Sequence, residues 1–418
     1  MLGLVLTAGG ARGAYQAGVL KRIAELPALR DGPSPFAIVA GASAGAINGA
    51  ILAARSERFG DAASEVARVW GELSVERVFR TDLPSLALGA AGLMRDFALG
   101  GLLGHTVSTG LLDTAPLDAF LAEVFPKRGI AEAIARGSVY AVAVTATSYH
   151  SGRSFTFVQG RSGHPLWTKS RRVVLPVELT HKHILASGAI PIVFPPVQLV
   201  SPAGDLWFGD GGLRLVTPLS PAIRLGSTHL FAIGVRSSRA ADALAREEAG
   251  SSAPAGEHGP SLPCPPLAQV CGVFLNAIFL DHLDTDLDHL RRMNELVSAH
   301  QGMNGSEPAT EPMRRVSPFS LSPSEDLALV AQRFAHRMPR LLRYALDGLG
   351  TPDAQSADLM SYLLFDAAYT RTLVDIGYGD AGERIGAIEA FLGEAGALEP
   401  AAAFAPPMPS FTAEPPPY

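Results

Sequence analysis

Two apolar strands near the start of the chain each run into a glycine-bearing turn and then a helix. No other feature restricts the fold as much. Leu4, Val5 and Leu6 form a short apolar run closed by Gly9 and Gly10, the pattern of a buried strand meeting a loop. Tyr15, Val19, Ile23 and Leu26 then recur at helical spacing until Pro27 ends the pattern. Phe36, Ala37, Ile38 and Val39 make a second strand, and "GASAGAINGAILAA" carries the chain from it into another helix. Strand and helix patterns keep alternating to about residue 236, through "GSVYAVAVTATS" and "THLFAIGVRSS". Such alternation predicts an α/β fold around a mostly parallel sheet.

A loop that opens a helix leaves backbone N–H groups unpaired, and with the helix dipole they attract negative charge. The anion is either a pyrophosphate or a developing oxyanion. The dinucleotide reading fails on spacing. G-x-G-x-x-G would start at Ala8, although Gly10 and Gly13 fit, and the second strand ends in Gly41 where an acid is required.

The second turn is G-x-S-x-G, formed by Gly41, Ser43 and Gly45. The pattern places a serine on a sharp strand-to-helix turn with its hydroxyl exposed; alternatively it is a small-residue helix start packed on a sheet. A serine nucleophile needs a base. Of the eleven histidines none has a telling context, and His181 and His183 read as loop or helix-start residues. "WFGDGGLRLVTP" is more informative, because an apolar strand ends at Asp210, followed by Gly211 and Gly212. A carboxylate there stands at the carboxyl edge of a sheet, where α/β folds bind ligands, although Asp-Gly is also an ordinary turn. Together the three motifs assign Ser43 to attack an acyl carbonyl and Asp210 to take its proton and later activate water. The N–H groups at Gly9, Gly10 and Ala11 would then stabilise the oxyanion.

These motifs, in this order, resemble the patatin-like phospholipase family. Gly9, Gly10, Arg12 and Gly13 match its oxyanion loop, Ser43 its nucleophile, Gly41 and Gly45 its elbow, Asp210 with Gly211 and Gly212 its acid turn. "ASGAIPIVFPPV" and "VYAVAVTATSYHSGRSFTFV" resemble its segment before the acid and its central strand and hairpin. The resemblance covers roughly residues 4 to 236. It implies a three-layer sandwich with a mostly parallel central sheet plus C-terminal helices, a Ser–Asp dyad, a lipid ester substrate and no cofactor. Thr7 and Ala8 depart from it by standing in two of the loop's usual glycine places. Ala8 brings a Cβ where positive φ is expected. Arg12 either steers a phosphate headgroup or, as favoured here, hydrogen-bonds nearby backbone and supports the loop together with Gly13.

The expected organisation is a patatin-like catalytic core over 1–236, a flexible loop over 237–270, a helical region packed on the core over 271–398 and a Pro-rich disordered tail over 399–418. Within the core, "DAASEVARVWGEL" reads as a helix capped by Asp61, with Val66, Val69, Trp70 and Leu73 on one face. In "LDHLDTDLDHLRRMNELV", Leu283, Leu287, Leu290 and Val297 give a helical face. Its acids, His282 and His289 read as a solvated side paired with Arg291 and Arg292, against a metal cluster. Residues 301 to 324 read as loop. The two later segments, "SPSEDLALVAQRFAHRMPRLLRYALDGLG" and "SADLMSYLLFDAAYTRTLVDIGYGDA", read as helical and receive no chemistry.

Composition narrows the partners. The 418 residues carry 34 basic and 40 acidic side chains, net charge -6, mixed along the chain, which excludes a nucleic-acid footprint. Cys264 and Cys271 are the only cysteines and suggest neither a disulfide scaffold nor a zinc site. The opening residues have no basic n-region and no long apolar run spans a bilayer. A cytoplasmic protein, or one peripheral at the membrane, is expected. The glycine-punctuated stretch Leu83 to Gly104 has two readings: buried helices packed on the sheet, or a cover whose Leu93, Met94 and Phe97 dip into lipid.

Three rivals are distinguishable. A Ser-His-Asp hydrolase would use His229, but that fold places several strands before its elbow. An acyltransferase would share the serine elbow. An inactive lipid-binding scaffold has Ala8 as its support.

Overall fold

The computed structural model describes residues 1–103, 110–169, 171–201, 204–237, 267–279, 282–300, 314–340, 342–343 and 357–398. The tail over 399–418 and the core of the expected 237–270 loop lie outside the described residues.

Strands β1 (Leu2–Leu6), β2 (Ile38–Ala42), β3 (Ala141–Ser148), β4 (Ser154–Gly160), β5 (Thr168–Lys169), β6 (Arg172–Pro176), β7 (Val197–Ser201), β8 (Gly204–Gly209), β9 (His229–Ile233) and β10 (Ser317–Leu321) form one sheet. Its order is β10-β9-β1-β2-β3-β4-β6-β5, with β8 on β3 and β7 on β8. Strands β10, β9, β1, β2 and β3 are mutually parallel. Period-two alternation sends β1 side chains to two apolar layers. Leu4 and Leu6 face the layer of α1 (Ala14–Ala24), α2 (Ala44–Ala54) and α3 (Phe59–Gly71). Val5, Ile38 and Ala40 meet Ala222 and Leu225 of a short helix (Ser220–Leu225) and Leu283, Leu287 and Leu290 of the His282–His300 helix. This is the expected three-layer α/β arrangement. Each such leucine contributes about 1.5–3 kcal/mol of burial.

The chain leaves β1 for β2 on one side, while β9 lies on the other. That reversal opens a crevice at the carboxyl ends of the strands, and the β1 and β2 turns both lie there.

Several expectations are corrected. Asp61 does not cap α3. The helix starts at Phe59 after Arg58, because the Gly32 and Arg30 carbonyls already take the Phe59 and Gly60 N–H groups, and Asp61 sits in the first turn 3.2 Å from Arg58 Nε. The 301–324 loop contains β10, which extends the sheet beyond β9. The 237–270 loop ends earlier, since a helix begins at Leu267. Asp286 leaves the solvated side of its helix: it is buried and accepts the Leu219 N–H at 2.9 Å, while Asp288 does pair with Arg291. After the one-turn helix α4 (Val75–Val78), residues 83 to 103 form one uninterrupted helix, α5 (Leu83–Leu103), whose described part combines both readings, since Leu86 packs against the core while Leu83 and Leu88 are 63% and 73% exposed. The side chains of Leu93, Met94 and Phe97 lie outside the described residues. No helix among the described residues is long and apolar enough to cross a membrane.

Candidate active site

Ser43 stands between β2 and α2 with φ 54° and ψ −126°, a conformation costing about 1–3 kcal/mol that surrounding structure must impose. Its flanking glycines are dictated by contact. A Cβ on Gly45 would strike the Leu6 carbonyl, and one on Gly41 would strike the Gly45 carbonyl. The turn is further tied by Ser187 at the end of the helix His181–Ser187, whose hydroxyl accepts the Ser43 N–H at 2.9 Å and donates to the Thr145 carbonyl at 2.6 Å.

Asp210 follows β8 and is fully buried. Its N–H donates to the Ala189 carbonyl at 2.8 Å, its carbonyl accepts from Thr147 Oγ1 at 2.8 Å, and Oδ1 accepts the Gly212 N–H at 2.8 Å. Thus the acid turn is locked from three sides. Burial pushes the Asp210 carboxyl up to about 7, with the Ser43 hydroxyl and Gly212 N–H partly opposing the rise. The Ser43 side chain acts on the Asp210 carboxyl, and among the described residues Oδ2 has no partner within ordinary hydrogen-bond geometry. A carboxylate poised near neutrality, aimed at a hydroxyl on a strained turn, has the makings of a general base. Tyr149 lies on the neighbouring turn over Gly209; burial and the Asp210 charge push its hydroxyl up to about 12.

The glycine loop enters a single 3-10 turn, Gly10–Gly13, before α1. Gly10 has φ 55° and its Cα lies against the Tyr362 carbonyl, so a side chain there is excluded twice. Ala8 is not at positive φ: among the described non-glycine residues only Ser43 and Ile192 are. The Ala8 methyl is buried in the core, so the expected conflict does not arise.

Arg12 has partners other than those expected. It is buried, and among the described residues its hydrogen bonds go to side chains rather than to nearby backbone: Nη2 donates to Asp358 Oδ1 at 2.6 Å, Nε donates to Ser361 Oγ at 2.8 Å, and the guanidinium lies 4.5 Å from the Tyr362 ring. Burial opposes its charge, but Tyr362, Asp358 and Tyr369 prevail and raise its pKa. Gly13 supports the loop differently, through its carbonyl, which accepts from Asn48 Nδ2 at 2.9 Å. Asn48 also donates to Gln16 Oε1 and accepts from Trp70 Nε1 at 2.6 Å, while Gln16 Nε2 donates to the Thr7 and Ile233 carbonyls. This buried network joins the ends of β1 and β9 to both site helices. The sequence reading missed Asn48, Gln16 and Ser187 and gave Trp70 only a place on a helical face; an Asn inside the small-residue elbow helix was the available signal.

His229 opens β9 opposite Leu2, whereas Ser43 follows the end of β2 level with Leu6. They therefore occupy opposite edges of the sheet, on the order of 13 Å apart along the strands. The His229 ring packs on Phe391, so a Ser-His-Asp triad through it is ruled out. His183 is also occupied elsewhere: it shares a capping box with Thr180 and packs edge-on against Phe157. Burial and neighbouring His181 push it down to about 4.

A narrow apolar slot ends at Ser43 and Gly10. Ile47, Trp70, Leu117, Phe120, Ile190 and Phe194 are among the residues lining it, no histidine lines it, and it encloses about 550 Å³ counting the part open to solvent. At its rim Ile192 is 64% exposed with φ 71°, an unusual conformation for a β-branched residue. Among the described residues no cluster of three His, Cys, Asp or Glu side chains is arranged to hold a metal ion.

Fold and site together define an α/β protein that brings a serine turn, a glycine-rich loop and a buried carboxylate to one edge of its sheet. The patatin-like phospholipase model matches residues 4–223, more than half of the chain, and the chain belongs to that family. No curated relative matches the sequence. Among solved structures it is similar to VipD from Legionella pneumophila, at 14% identity and a TM-score of 0.27, over 89% of this chain and 66% of that one. It is likewise similar to the type III effector protein ExoU, at 15% identity and a TM-score of 0.24, over 86% and 76%. The chain thus spans just under two thirds of VipD.

Proposed function

We propose that the protein hydrolyses carboxylic esters of lipids with Ser43 as nucleophile and Asp210 as its base. The observation that carries this reading is the buried Asp210 carboxylate, whose Oδ2 has no hydrogen-bond partner among the described residues and on which the Ser43 hydroxyl acts where the apolar slot reaches Ser43. An acyl chain enters the slot and brings its carbonyl carbon to Ser43. Asp210 accepts the hydroxyl proton as the C–O bond forms. The N–H groups of Gly9, Gly10 and Ala11 receive the oxyanion. The proton returns to the departing alcohol, and Asp210 then takes a proton from water, which cleaves the acyl-serine. In other enzymes one such oxyanion donor contributes about 2.7–4 kcal/mol.

Substrate drawn from a bilayer implies peripheral contact with a lipid surface, and the exposed Leu83 and Leu88 of α5 support that reading. Hydrolysis of a soluble short-chain ester by wild type, Ser43→Ala, Asp210→Asn and the double variant tests the dyad. Each single change should abolish most activity, and the double should be little worse than either, because both serve one step. Full activity in Asp210→Asn would sink the proposal. Acyl transfer is the other outcome of the same chemistry, read by adding an alcohol acceptor and weighing ester product against free acid.

A further inference from the structure

The family match ends at residue 223, yet the oxyanion loop is held by residues far beyond it. Asp358, Ser361 and Tyr362 belong to one helix, Ala357–Leu363. Asp358 and Ser361 take the two donors of Arg12, the Tyr362 ring stacks under its guanidinium, and the Tyr362 carbonyl abuts Gly10. Ser361 Oγ also donates to the Asp358 carbonyl at 2.6 Å, fixing the acceptor side of the clamp. Arg12 lies inside the Gly10–Gly13 turn, so its position sets where that turn's N–H groups point.

We propose that Asp358 is a positioning residue for the oxyanion loop, acting through Arg12. The proposal rests on the reading of Ser43 as nucleophile for its kinetic consequence, though not for its structural one. A guanidinium is suited to the task because its planar fork meets two acceptors at fixed angles while its face stacks on a ring. A buried cation deprived of its carboxylate is driven to find solvent or another partner. The loop then moves with it, and oxyanion donors act only when aimed at the place where charge develops. Asp358 itself is 27% exposed, so its replacement leaves the core intact and separates aim from folding.

The full chain is compared as wild type, Asp358→Asn, Asp358→Glu, Arg12→Lys and Tyr378→Phe. The last removes the hydrogen bond that the Tyr378 hydroxyl, in the same C-terminal region, donates to Glu25 Oε2, remote from the loop. On a soluble short-chain ester, Asp358→Asn should lower kcat about ten-fold with KM held within about two-fold, a fraction of the loss from deleting a whole donor. Arg12→Lys should behave likewise, the two changes combined should cost no more than the worse one, Asp358→Glu should recover part of the rate, and Tyr378→Phe should keep it. Amide hydrogen exchange of the peptide spanning Gly9 to Gly13 should quicken in Asp358→Asn and not in Tyr378→Phe. Unchanged exchange in Asp358→Asn overturns the proposal whether or not Ser43 is the nucleophile. If Ser43→Ala is inactive while Asp358→Asn keeps kcat, the positioning role fails and the Ser43 reading stands.

Discussion

Ser187 holds Ser43 from behind: its hydroxyl accepts the Ser43 N–H at 2.9 Å and donates its own O–H to the Thr145 carbonyl. All three groups are buried. Ser187→Ala would leave an N–H and a carbonyl without partners, at about 1–3 kcal/mol for each group so stranded. We expect a lowered melting temperature together with a loss of kcat, since the bond helps impose the positive φ of Ser43. A variant less stable but fully active at low temperature would separate the bond from the elbow's geometry.

The raised pKa of Asp210 has two opposite consequences. As a base it must be ionised, so kcat/KM on a soluble ester should rise with pH through about 7 and flatten above. In stability the sign reverses. The folded protein retains this proton up to about 7, whereas the unfolded chain releases it near 3.8. Between those values folding takes up a proton, so the stability Asp210 lends declines as pH rises through that window and is level beyond it. Asp210→Asn should therefore gain melting temperature over wild type as pH rises across the window, while remaining inactive. A gain that is independent of pH would contradict the assignment.

Chain-length preference should follow the slot. Each methylene buried there is worth about 0.8 kcal/mol, so kcat/KM should increase by up to about four-fold per added carbon until the slot is full. Ile47 lines the slot one turn along the helix that starts beside Ser43. Ile47→Phe should shorten the preferred acyl chain and spare the shortest ester. A uniform loss across chain lengths would mean that the chain binds elsewhere.

The exposed start of α5 and the rim residue Ile192 suggest where a lipid surface would meet the mouth. The Leu111 carbonyl lies against Gly89 of α5, and the Leu111 N–H donates to the Ile192 carbonyl at 2.9 Å, making one continuous edge. Replacing Leu83, Leu88 and Ile192 with Ser should weaken hydrolysis of vesicle lipid and leave the soluble ester untouched. Equal losses on both substrates would assign the edge to stability.

What could be read in the sequence was local. The β1 loop, the Ser43 elbow and the Asp210 turn each announce themselves within a few residues, because a strand end, a close-packed glycine and a turn are short-range constraints. The two triad-free histidines, His181 and His183, were also legible as a helix start. Arg12's partner was not, since 346 residues separate it from Asp358 and neither residue's neighbours hint at the other. β10 was hidden by Pro318 and two serines. A proline suits only a strand whose outer side is unpaired, and β10 is the last strand on its side. Asp286 looked solvated by periodicity, and its burial rests on the Leu219 N–H it accepts and on the neighbouring charge of Arg172, both distant in the sequence.

The place of β10 has a consequence for how small the enzyme can be made. Leu230, Phe231, Ala232 and Ile233 of β9 are fully buried, with β1 on one side and β10 on the other. A chain cut soon after β9 would keep every residue of the proposed dyad and loop but would bare a row of unpaired amides along an apolar strand. Such a row is a template for another strand, so the shortened protein would recruit a second molecule to complete its sheet, and its failure would be one of solubility before it was one of chemistry.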